Sequence, residues 1–250
     1  MNDFQGKIAI VTGATTGVGE GISLELFNRG ATVVITARNK DDVIAKANQI
    51  DPSGRRVIPF QTDIKDHLAV KALIDTCMQR LGAIHYLVDN AGITGPHGIS
   101  ICDYAIDDWY DVINTDLSGV FFGLKYGIPA IIKSGGGSIV NLSAVNGIVG
   151  IAGIAPYTTA KHGVIGLTQA AALEFAEQGV RINAVCPGYV ATRKIQELPI
   201  ETQTFMANTH PMKRMATREE VAKTVAFLLS DDSSFTTGAF YPIDGGYTAQ

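Results

Sequence analysis

"KIAIVTGATTGVGEG", residues 7–21, decides the fold of this chain, because a short apolar run leads directly into three spaced glycines. The run 7–12 is almost continuously apolar, as in a parallel strand that is covered on both faces. Gly13 permits a tight turn, Gly17 lets the backbone approach a pyrophosphate, and Gly19 allows a helix to pack closely. A Gly-rich turn alone is a weak signal, but one that joins the first strand to the first helix predicts a phosphate-binding turn.

The rest of the chain repeats this alternation of strand and helix. Short β-branched runs predict further strands at 32–37, 56–61, 84–89, 137–143, 180–186 and 239–243. Helices are expected at 18–29, 40–50, 66–81, 105–133, 157–178 and 218–230. No Pro-, Gly- or Ser-rich linker divides the chain. The pattern predicts one α/β domain over residues 1–250: a doubly wound, seven-stranded parallel sheet of the Rossmann type, flanked by helices.

Composition excludes several classes of function. A net charge of −4 argues against nucleic-acid binding, which needs clustered cations. No apolar run reaches the ~20 residues that span a membrane, and no signal peptide is recognisable, so we expect a cytoplasmic protein. Cys77, Cys102 and Cys186 show no metal or redox spacing and are expected to be buried thiols. The expected partner is a small molecule.

The end of the second predicted strand bears on the cofactor. In dinucleotide-binding folds an acid about 20 residues past the glycines often binds the ribose hydroxyls of NAD. Here Ala37 takes that place and Arg38 follows it. A guanidinium can pair bidentately with a 2′-phosphate, and Thr15 and Thr16 offer hydroxyls from the facing turn. The sequence favours NADP, with NAD as the alternative if Arg38 is only a solvated cation.

The third and fourth predicted strands also end on polar or small residues. Asp63 either accepts a hydrogen bond from an adenine amino group or caps the helix that follows, and both options stay open. Asn90, Ala91 and Gly92 bring backbone and small side chains close to a ligand. Because parallel strands end at one edge of the sheet, all these residues are expected at one cofactor site.

Three residues carry the chemistry. Ser143 closes the fifth predicted strand, Tyr157 opens a helix after Pro156, and Lys161 follows one helical turn later on the same face. A tyrosine with a pKa of about 10 is a poor acid or base at neutral pH, but a nearby ammonium, with a positively charged nicotinamide ring in the oxidised complex, lowers that pKa. Ser143 can hold a substrate oxygen against Tyr157. Together they predict proton transfer at a carbonyl or alcohol oxygen.

These motifs, in this order, resemble the short-chain dehydrogenase/reductase family over essentially the whole chain. The matching pieces are "TGATTGVG", "NAG" at 90–92, "NTDLSG", Ser143, "YTTAK" and "PGYVAT" at 187–192. The resemblance implies hydride transfer with NAD(P), and it implies that Asn114 holds a water linking Lys161 to solvent as a proton relay. One departure is Asp89, where the family usually has Asn. The implied further cofactor contacts are Val18, Ile64, Pro187, Gly188, Val190 and Thr192.

Smaller features resemble bacterial NADP-dependent, R-specific secondary-alcohol dehydrogenases, which are carbonyl reductases. These features are "DGGYTAQ" at the end of the chain, "VFFG" at 120–123 and the "TAR" strand end. This resemblance implies a homotetramer and a structural magnesium ion held with the help of Gln250. The alternative for Gln250 is a terminus that merely packs at a subunit interface.

The segment 191–216 is expected to be a loop that serves as a substrate lid. Its apolar residues, with others across the cleft, predict a small to medium, uncharged, partly hydrophobic ketone or secondary alcohol. Arg193, Lys194 and Lys213 could turn inward. The expected substrate contacts are Val145, Tyr189, Ile195, Leu198 and Met206.

Other functions stay open beside this one. The first is a 3-oxoacyl carrier-protein reductase, which would need a basic docking patch, and the second is an NAD-dependent alcohol, diol or steroid dehydrogenase. A catalytically idle nucleotide-sensing or scaffold protein is disfavoured, because such proteins usually lose Ser, Tyr or Lys, and here all three are present.

Overall fold

A single seven-stranded parallel sheet forms the centre of the fold. A computed structural model describes residues 3–250. The sheet order is β3-β2-β1-β4-β5-β6-β7, and every neighbouring pair is parallel. The strands are β1 (Ile8–Thr12), β2 (Thr32–Ala37), β3 (Val57–Gln61), β4 (Tyr86–Asp89), β5 (Gly137–Leu142), β6 (Val180–Pro187) and β7 (Phe240–Ile243). The predicted doubly wound, seven-stranded sheet of Rossmann type is confirmed.

The helices follow the predicted pattern with one interruption. The stretch expected as one helix at 105–133 contains a π-helical turn, Asn114–Ser118, between α4 and α5. The α-helices are α1 (Gly17–Asn28), α2 (Lys40–Ile50), α3 (His67–Leu81), α4 (Ile106–Ile113), α5 (Gly119–Lys133), α6 (Ala155–Phe175), α7 (Arg193–Gln196), α8 (Ile200–Asn208) and α9 (Arg218–Leu229). Among residues 3–250, no helix is both long enough and apolar enough to cross a membrane.

Apolar side chains fill both faces of the sheet. Ile10 and Val11 are neighbours on β1, both are fully buried, and each belongs to a different core cluster. The same holds for Val33 and Val34 on β2. Each such side chain contributes about 1.5–3 kcal/mol through burial. Helices therefore cover both faces, which explains why the strands read as continuous apolar runs.

The ligand-binding edge lies where the strand order reverses. From β1 the chain continues to β2 and β3 on one side, and from β4 it continues to β5 and beyond on the other. The crossovers therefore diverge next to the carboxyl ends of β1 and β4, and a crevice opens there. The glycine turn after β1 lies at this crevice.

The segment predicted as a loop at 191–216 is partly helical. It contains α7, stabilised by an ion pair between Arg193 and Glu197, and α8. Its two ends meet, because the N–H of Ala191 donates to the carbonyl of Ala216 at 2.8 Å and the N–H of Ala216 to that of Tyr189 at 2.9 Å. The segment thus leaves the sheet after β6 and returns to the same place, and its role as a lid stays a prediction.

The cysteine prediction is wrong for one residue. Cys77 and Cys186 are buried, but Cys102 is exposed. Cys102 lies in the turn before α4, where no sheet or helix covers it. The wide spacing of the three cysteines therefore predicted that they do not pair with one another, but it did not predict which of them are buried.

Candidate active site

Three glycines bring the first turn into close contact with its neighbours. Gly13 has φ +64°, and a Cβ there would lie 2.7 Å from Cα of Ala91. Gly17 has φ +60°, and a Cβ would lie 3.3 Å from a methyl group of Thr192. A Cβ on Gly19 would overlap the carbonyl oxygen of Gly13. The turn thus leaves bare backbone at the start of α1, where N–H groups and the helix dipole favour an anion.

Thr12 and Asn90 fasten this turn to β4. The hydroxyl of Thr12 accepts from the N–H of Asn90 at 2.9 Å and from that of Ala91 at 3.0 Å. The amide nitrogen of Asn90 donates to the carbonyl oxygens of Thr12 at 2.8 Å and Gly13 at 3.1 Å. The side chain of Asn90 therefore holds the turn in shape. Sequence reasoning missed Thr12, although it stands at the end of β1 beside the glycines.

A cavity of about 290 Å³ lies beside the turn, and four strand ends contribute to it. It gathers most of the residues expected to bind the cofactor and adds several that sequence reasoning left out, among them Thr36 and Thr62. The hydroxyl oxygens of these two threonines are buried and have no hydrogen-bond partner among residues 3–250. The lining residues are Gly13, Thr15, Thr16, Val18, Gly19, Thr36, Ala37, Arg38, Thr62, Asp63, Ile64, Asn90, Ala91, Gly92, Ile93 and Thr115.

Arg38 and Asp63 stand at the mouth of this cavity. Arg38 is exposed, and within residues 3–250 its guanidinium makes no ion pair. The helix-cap alternative for Asp63 is wrong, because Asp66 caps α3 by accepting from the N–H of Leu68 at 2.8 Å. Asp63 instead accepts from the N–H of Lys65 at 3.0 Å and lines the cavity.

Ser143, Tyr157 and Lys161 line a second cavity of about 470 Å³. Ser143 follows β5, and its hydroxyl donates to the carbonyl oxygen of Lys161 at 2.9 Å. Tyr157 and Lys161 lie in the first two turns of α6, which starts with Pro156 near its N-terminus. The ammonium of Lys161 lies 5.4 Å from the centre of the Tyr157 ring and donates to the carbonyl oxygen of Leu142 at 2.9 Å. The strand end and the helix start thus place hydroxyl, phenol and ammonium together.

The residue beside Lys161 is Asp116, whereas the resemblance implied Asn114. Asn114 opens the π-helical turn and is exposed. A carboxylate oxygen of Asp116 lies 3.1 Å from Nζ of Lys161, and its other oxygen accepts from the N–H of Ile93 at 2.7 Å. Two positions apart in a helical stretch, the two residues face different sides of it, and the side that carries Asp116 is the one that faces Lys161. The sequence signal was present, because Asp116 stands in the same "NTDLSG" motif.

Burial dominates the titration of these groups. Burial raises the pKa of Tyr157, and the ammonium of Lys161 only partly opposes it, while Asp116 adds to it. The expected lowering of that pKa by Lys161 is therefore outweighed. Burial acts to lower the pKa of Lys161, but the charge of Asp116 and the phenol of Tyr157 raise it overall. Burial also raises the pKa of Asp116, while Lys161 and the Ile93 amide oppose that rise. We regard the Lys161–Asp116 pair as ionised, because two short contacts stabilise the charged carboxylate. One is with Nζ of Lys161 at 3.1 Å, and the other is with the N–H of Ile93 at 2.7 Å.

The walls of the second cavity differ from those expected. Pro187, Gly188 and Val190 line it, whereas Thr192 instead packs near Gly17. The other lining residues include Ile93, Thr94, Gly95, Leu142, Ala144 and Lys194. None of the five expected substrate contacts lies on this wall: Val145, Tyr189, Ile195, Leu198 and Met206.

Tyr189 shows why the expectation and the wall differ. Its backbone N–H donates to Nε2 of the buried His210 at 3.2 Å, and its ring packs edge-on against the same imidazole. Nδ1 of His210 lies 2.9 Å from the carbonyl oxygen of Met206, to which it can donate. His210 thus ties α8 to the chain that follows β6. Tyr189 and Met206 take part in this contact, and their role toward a substrate stays a prediction.

The C-terminus does not form a metal site within one protomer. Gln250 is exposed, and its amide nitrogen makes only long contacts with the carbonyl oxygens of Tyr247 at 3.4 Å and Thr209 at 3.5 Å. Nowhere among residues 3–250 do His, Cys, Asp or Glu form a group of three that could hold a metal ion. The described part of one protomer therefore gives no support to the magnesium ion that the resemblance implied.

The two cavities form one cleft, because Val18, Asn90, Gly92 and Ile93 line both of them. One end presents bare backbone amides and a free guanidinium, which suit phosphates. The other end presents a serine hydroxyl, a tyrosine and a lysine, which suit proton transfer to an oxygen. A long phosphate-bearing molecule in the first cavity would reach the proton-transfer groups in the second.

Comparisons with known proteins cover nearly the whole chain. A family model described as enoyl-(acyl carrier protein) reductase matches residues 13–248. The cyclohexanol dehydrogenase of Acinetobacter sp. (strain SE19) is 40% identical over 249 residues, 100% of this chain and 98% of that enzyme. The cis-4-hydroxycyclohexanecarboxylate dehydrogenase of Sinomonas cyclohexanicum is 40% identical over 98% of both chains. The structure of ElxO with NADP bound matches with a TM-score of 0.92 at 33% identity, covering 98% of this chain and 99% of that one.

Proposed function

The chain belongs to the short-chain dehydrogenase/reductase family and is an oxidoreductase of CH–OH groups that uses NAD(P), and we propose that it interconverts ketones and secondary alcohols with NADP(H). The substrate we propose is small to medium, uncharged and partly hydrophobic. One observation carries the proposal: Ser143, Tyr157 and Lys161 line a cavity that is continuous with the glycine turn. Phosphate binding and proton transfer then take place in one cleft.

The first cavity fits a dinucleotide. Gly13 and Gly17 leave bare backbone where a Cβ would clash or crowd its neighbours, so a pyrophosphate can approach the amides of α1. Thr36 and Thr62 offer buried hydroxyls that have no partner among residues 3–250. When bound, the nicotinamide cofactor supplies or accepts the hydride. These residues favour the assignment of the cavity to the cofactor.

The choice of NADP rests on Arg38. Its exposed guanidinium stands at the cavity mouth beside Thr15 and Thr16, where a 2′-phosphate could receive paired hydrogen bonds. Position 37, where an acidic residue would favour NAD, is an alanine. The NADP bound in the structure of ElxO is in keeping with this assignment.

The proton steps follow from the groups in the second cavity. In reduction, Tyr157 donates its hydroxyl proton to the carbonyl oxygen as the carbonyl carbon becomes a CH–OH carbon. Ser143, whose hydroxyl can rotate away from the carbonyl of Lys161, donates to the same oxygen and holds it in place. Lys161 lies behind the Tyr157 ring and stabilises the phenolate that results. In oxidation the phenolate accepts the proton of the alcohol.

The wall of the second cavity supports an alicyclic or similarly compact substrate. Ile93, Leu142 and Ala144 provide apolar surface close to Ser143. Two relatives act, by their names, on cyclohexanol and on a hydroxycyclohexanecarboxylate. We therefore propose cyclic secondary alcohols and ketones as the first substrates to test.

Lys194 favours a second substrate class. It lines the second cavity at the start of α7 and, within residues 3–250, makes no ion pair or side-chain hydrogen bond. A lysine there would suit a carboxylate at the far end of a hydroxycycloalkane.

An acyl-carrier-protein substrate, which the description of the family model suggests, would need further cations at the mouth of the cavity. Arg193 is not among the residues that line the cavity, and it forms an exposed ion pair with Glu197.

We also propose a homotetramer. Large apolar side chains are exposed on the helices and on the edge strand, at positions that a second copy could cover. Leu173 on α6 is 85% exposed, and Phe121 on α5 is 45% exposed. Phe227 on α9 and Phe240 on β7 are each 40% exposed. Light scattering of the purified protein would test this, and a monomer would contradict it.

Nicotinamide absorbance tests the function directly. The purified protein is mixed with NADPH or NADH and a panel of cyclic ketones, acyclic ketones and 3-oxoacyl thioesters. We expect NADPH oxidation with cyclic ketones, much faster than NADH oxidation. Turnover of thioesters alone would favour the carrier-protein reductase, and no turnover with any ketone would contradict the proposal.

A further inference from the structure

A buried carboxylate stands directly behind the lysine of the site. One oxygen of Asp116 lies 3.1 Å from Nζ of Lys161, and the two side chains are 0% and 5% exposed. This oxygen receives no well-directed hydrogen bond among residues 3–250. The directed hydrogen bond of Lys161 goes to the carbonyl of Leu142. The contact is therefore mainly electrostatic, and a buried charge pair interacts more strongly than an exposed one.

Among residues 3–250, no other group around Lys161 provides a negative charge in contact with it, and the cation Lys194 lines the same cavity. Tyr157 on α6 and Ser143 after β5 are neutral hydroxyls at neutral pH. Cys186 on β6 is a neutral thiol, because burial raises its pKa to about 11. Asp111 on α4 acts on Asp116 from a distance, but it is exposed and pairs with Lys65 at 2.7 Å. Asp116, on the π-helical turn, thus provides the anion in contact with Lys161.

Asp116 is itself held rigidly. Its second oxygen accepts from the N–H of Ile93 at 2.7 Å, on the chain that follows β4. A Cβ on Gly92 would lie 2.6 Å from a carboxylate oxygen of Asp116, so the backbone leaves space for this side chain. The carboxylate therefore bridges the cofactor-side loop and the catalytic helix α6.

We propose that Asp116 is a positioning residue of the site: it holds Lys161 and offsets its charge, so that Tyr157 loses its proton at a higher pH than it would beside an uncharged residue 116. This inference rests on the proposed function of Tyr157 as the proton donor. A lone ammonium would favour the phenolate, whereas an ammonium paired with a carboxylate exerts a weaker field on the phenol. The pairing therefore favours the protonated phenol, which carbonyl reduction needs. Alcohol oxidation, which needs the phenolate, should accordingly require a higher pH than it would without the charge of Asp116.

Asp116→Asn tests this with little change in shape. We expect the midpoint of the pH profile of kcat for alcohol oxidation to move down by about one unit or more. The rate of ketone reduction should begin to fall at a correspondingly lower pH. An unchanged midpoint, with kcat merely lower at every pH, would overturn the proposal and leave Asp116 a structural residue.

A second readout does not depend on turnover. The ultraviolet absorbance of tyrosinate is followed during a pH titration of the cofactor-free protein, and the difference from Tyr157→Phe isolates Tyr157. The midpoint for Tyr157 should also fall in Asp116→Asn. If no ketone is turned over but this midpoint falls, the proposed function fails and the electrostatic role of Asp116 stands. If the midpoint is unchanged, the inference fails whatever the substrate.

Asp89→Asn is the matched control, because it makes the same substitution at another buried carboxyl group, one that does not touch Lys161. Both midpoints should stay where they are in that variant. If Asp116→Asn does not fold, Asp116→Ser removes the same charge and is titrated instead. If neither variant folds, Asp116 is required for the fold itself, and the positioning proposal is overturned.

Discussion

The carboxyl group of Asp89 on β4 lies directly against Gly123 of α5, so closely that a Cβ on the glycine would overlap both carboxyl oxygens. Asp89 is buried, and one of its oxygens has no hydrogen-bond partner among residues 3–250. Burial raises the pKa of Asp89 well above its ordinary value. Asn141 on β5, the register partner of Asp89, also carries a buried oxygen without a partner in that range. A protonated Asp89 would be the more stable form beside such an acceptor.

Asp89→Asn should therefore stabilise the protein above acidic pH. An acid with a raised pKa in the folded state keeps its proton, so its favourable contribution is complete below the pKa of the unfolded chain, 3.8. That contribution is lost as the pH rises through the folded-state pKa. We expect urea unfolding to show a gain for Asp89→Asn that grows from acidic to alkaline pH. The exposed Asp75→Asn serves as control, and a gain that does not vary with pH would contradict the ionisation argument.

Tyr157→Phe should reduce turnover by about 10²–10⁴-fold, because it removes the hydroxyl of the proposed general acid and keeps the aromatic ring. Burial of the ring is kept, so the fold and cofactor binding should be nearly unchanged. Steady-state kinetics measure the first effect, and quenching of the single Trp109 or calorimetry with NADPH measures the second. Tyr110→Phe, an exposed tyrosine, is the matched control. Turnover close to that of the unchanged protein would rule out Tyr157 as the proton donor.

Arg38→Asp should shift the cofactor preference toward NADH. The change replaces a cation that can pair with a 2′-phosphate by an acid that can accept from a ribose hydroxyl. The measurement is the ratio of kcat/KM with NADPH to that with NADH, which we expect to fall by about tenfold or more, equal to a loss of about 1.4 kcal/mol. Arg55→Asp changes charge equally at an exposed position outside the cavity and should leave the ratio unaltered. An unaltered ratio in Arg38→Asp would make Arg38 a surface cation only.

Lys194→Met distinguishes the two substrate classes. Methionine keeps much of the length of lysine and removes its charge. With a hydroxycycloalkane carboxylate we expect KM to rise by about tenfold, since a charged hydrogen bond contributes about 1.5–3 kcal/mol. With cyclohexanol, the internal control, KM should be nearly unchanged. Equal effects on both substrates would mean that Lys194 acts through the cofactor or the lid.

Much of this protein could be read from patterns along the chain. Apolar runs of four to eight residues and the turns between them depend on local chemistry, so all seven strands were predicted close to their bounds. Residues that directly follow strands were brought to one edge because parallel strands share their direction. Thr15, Arg38 and Gly92 accordingly line one cavity with the glycine turn.

Residues that depend on helical phase or on distant packing were not predicted correctly. Asn114 and Asp116 are two positions apart and face different sides of their helical stretch, and only its packing beside α6 shows that Asp116 is the one that contacts Lys161. Asp63 and Asp66 are equally good caps by composition, and only the actual start of α3 selects Asp66. Lys194 was one of three cations that could turn inward, and only the structure shows that it lines the second cavity, at the start of α7.

The sequence by itself determined the sheet, the glycine turn and the set of Ser143, Tyr157 and Lys161, because each follows from short-range periodicity and the direction of parallel strands. The tertiary structure decided the charges that surround this set. It buried Asp116 against Lys161 and Asp89 against Gly123, and it placed Lys194 on the wall of the second cavity. The physical reason is that the energy of a charge depends on its burial and on the distance to its neighbours, which residue order does not specify.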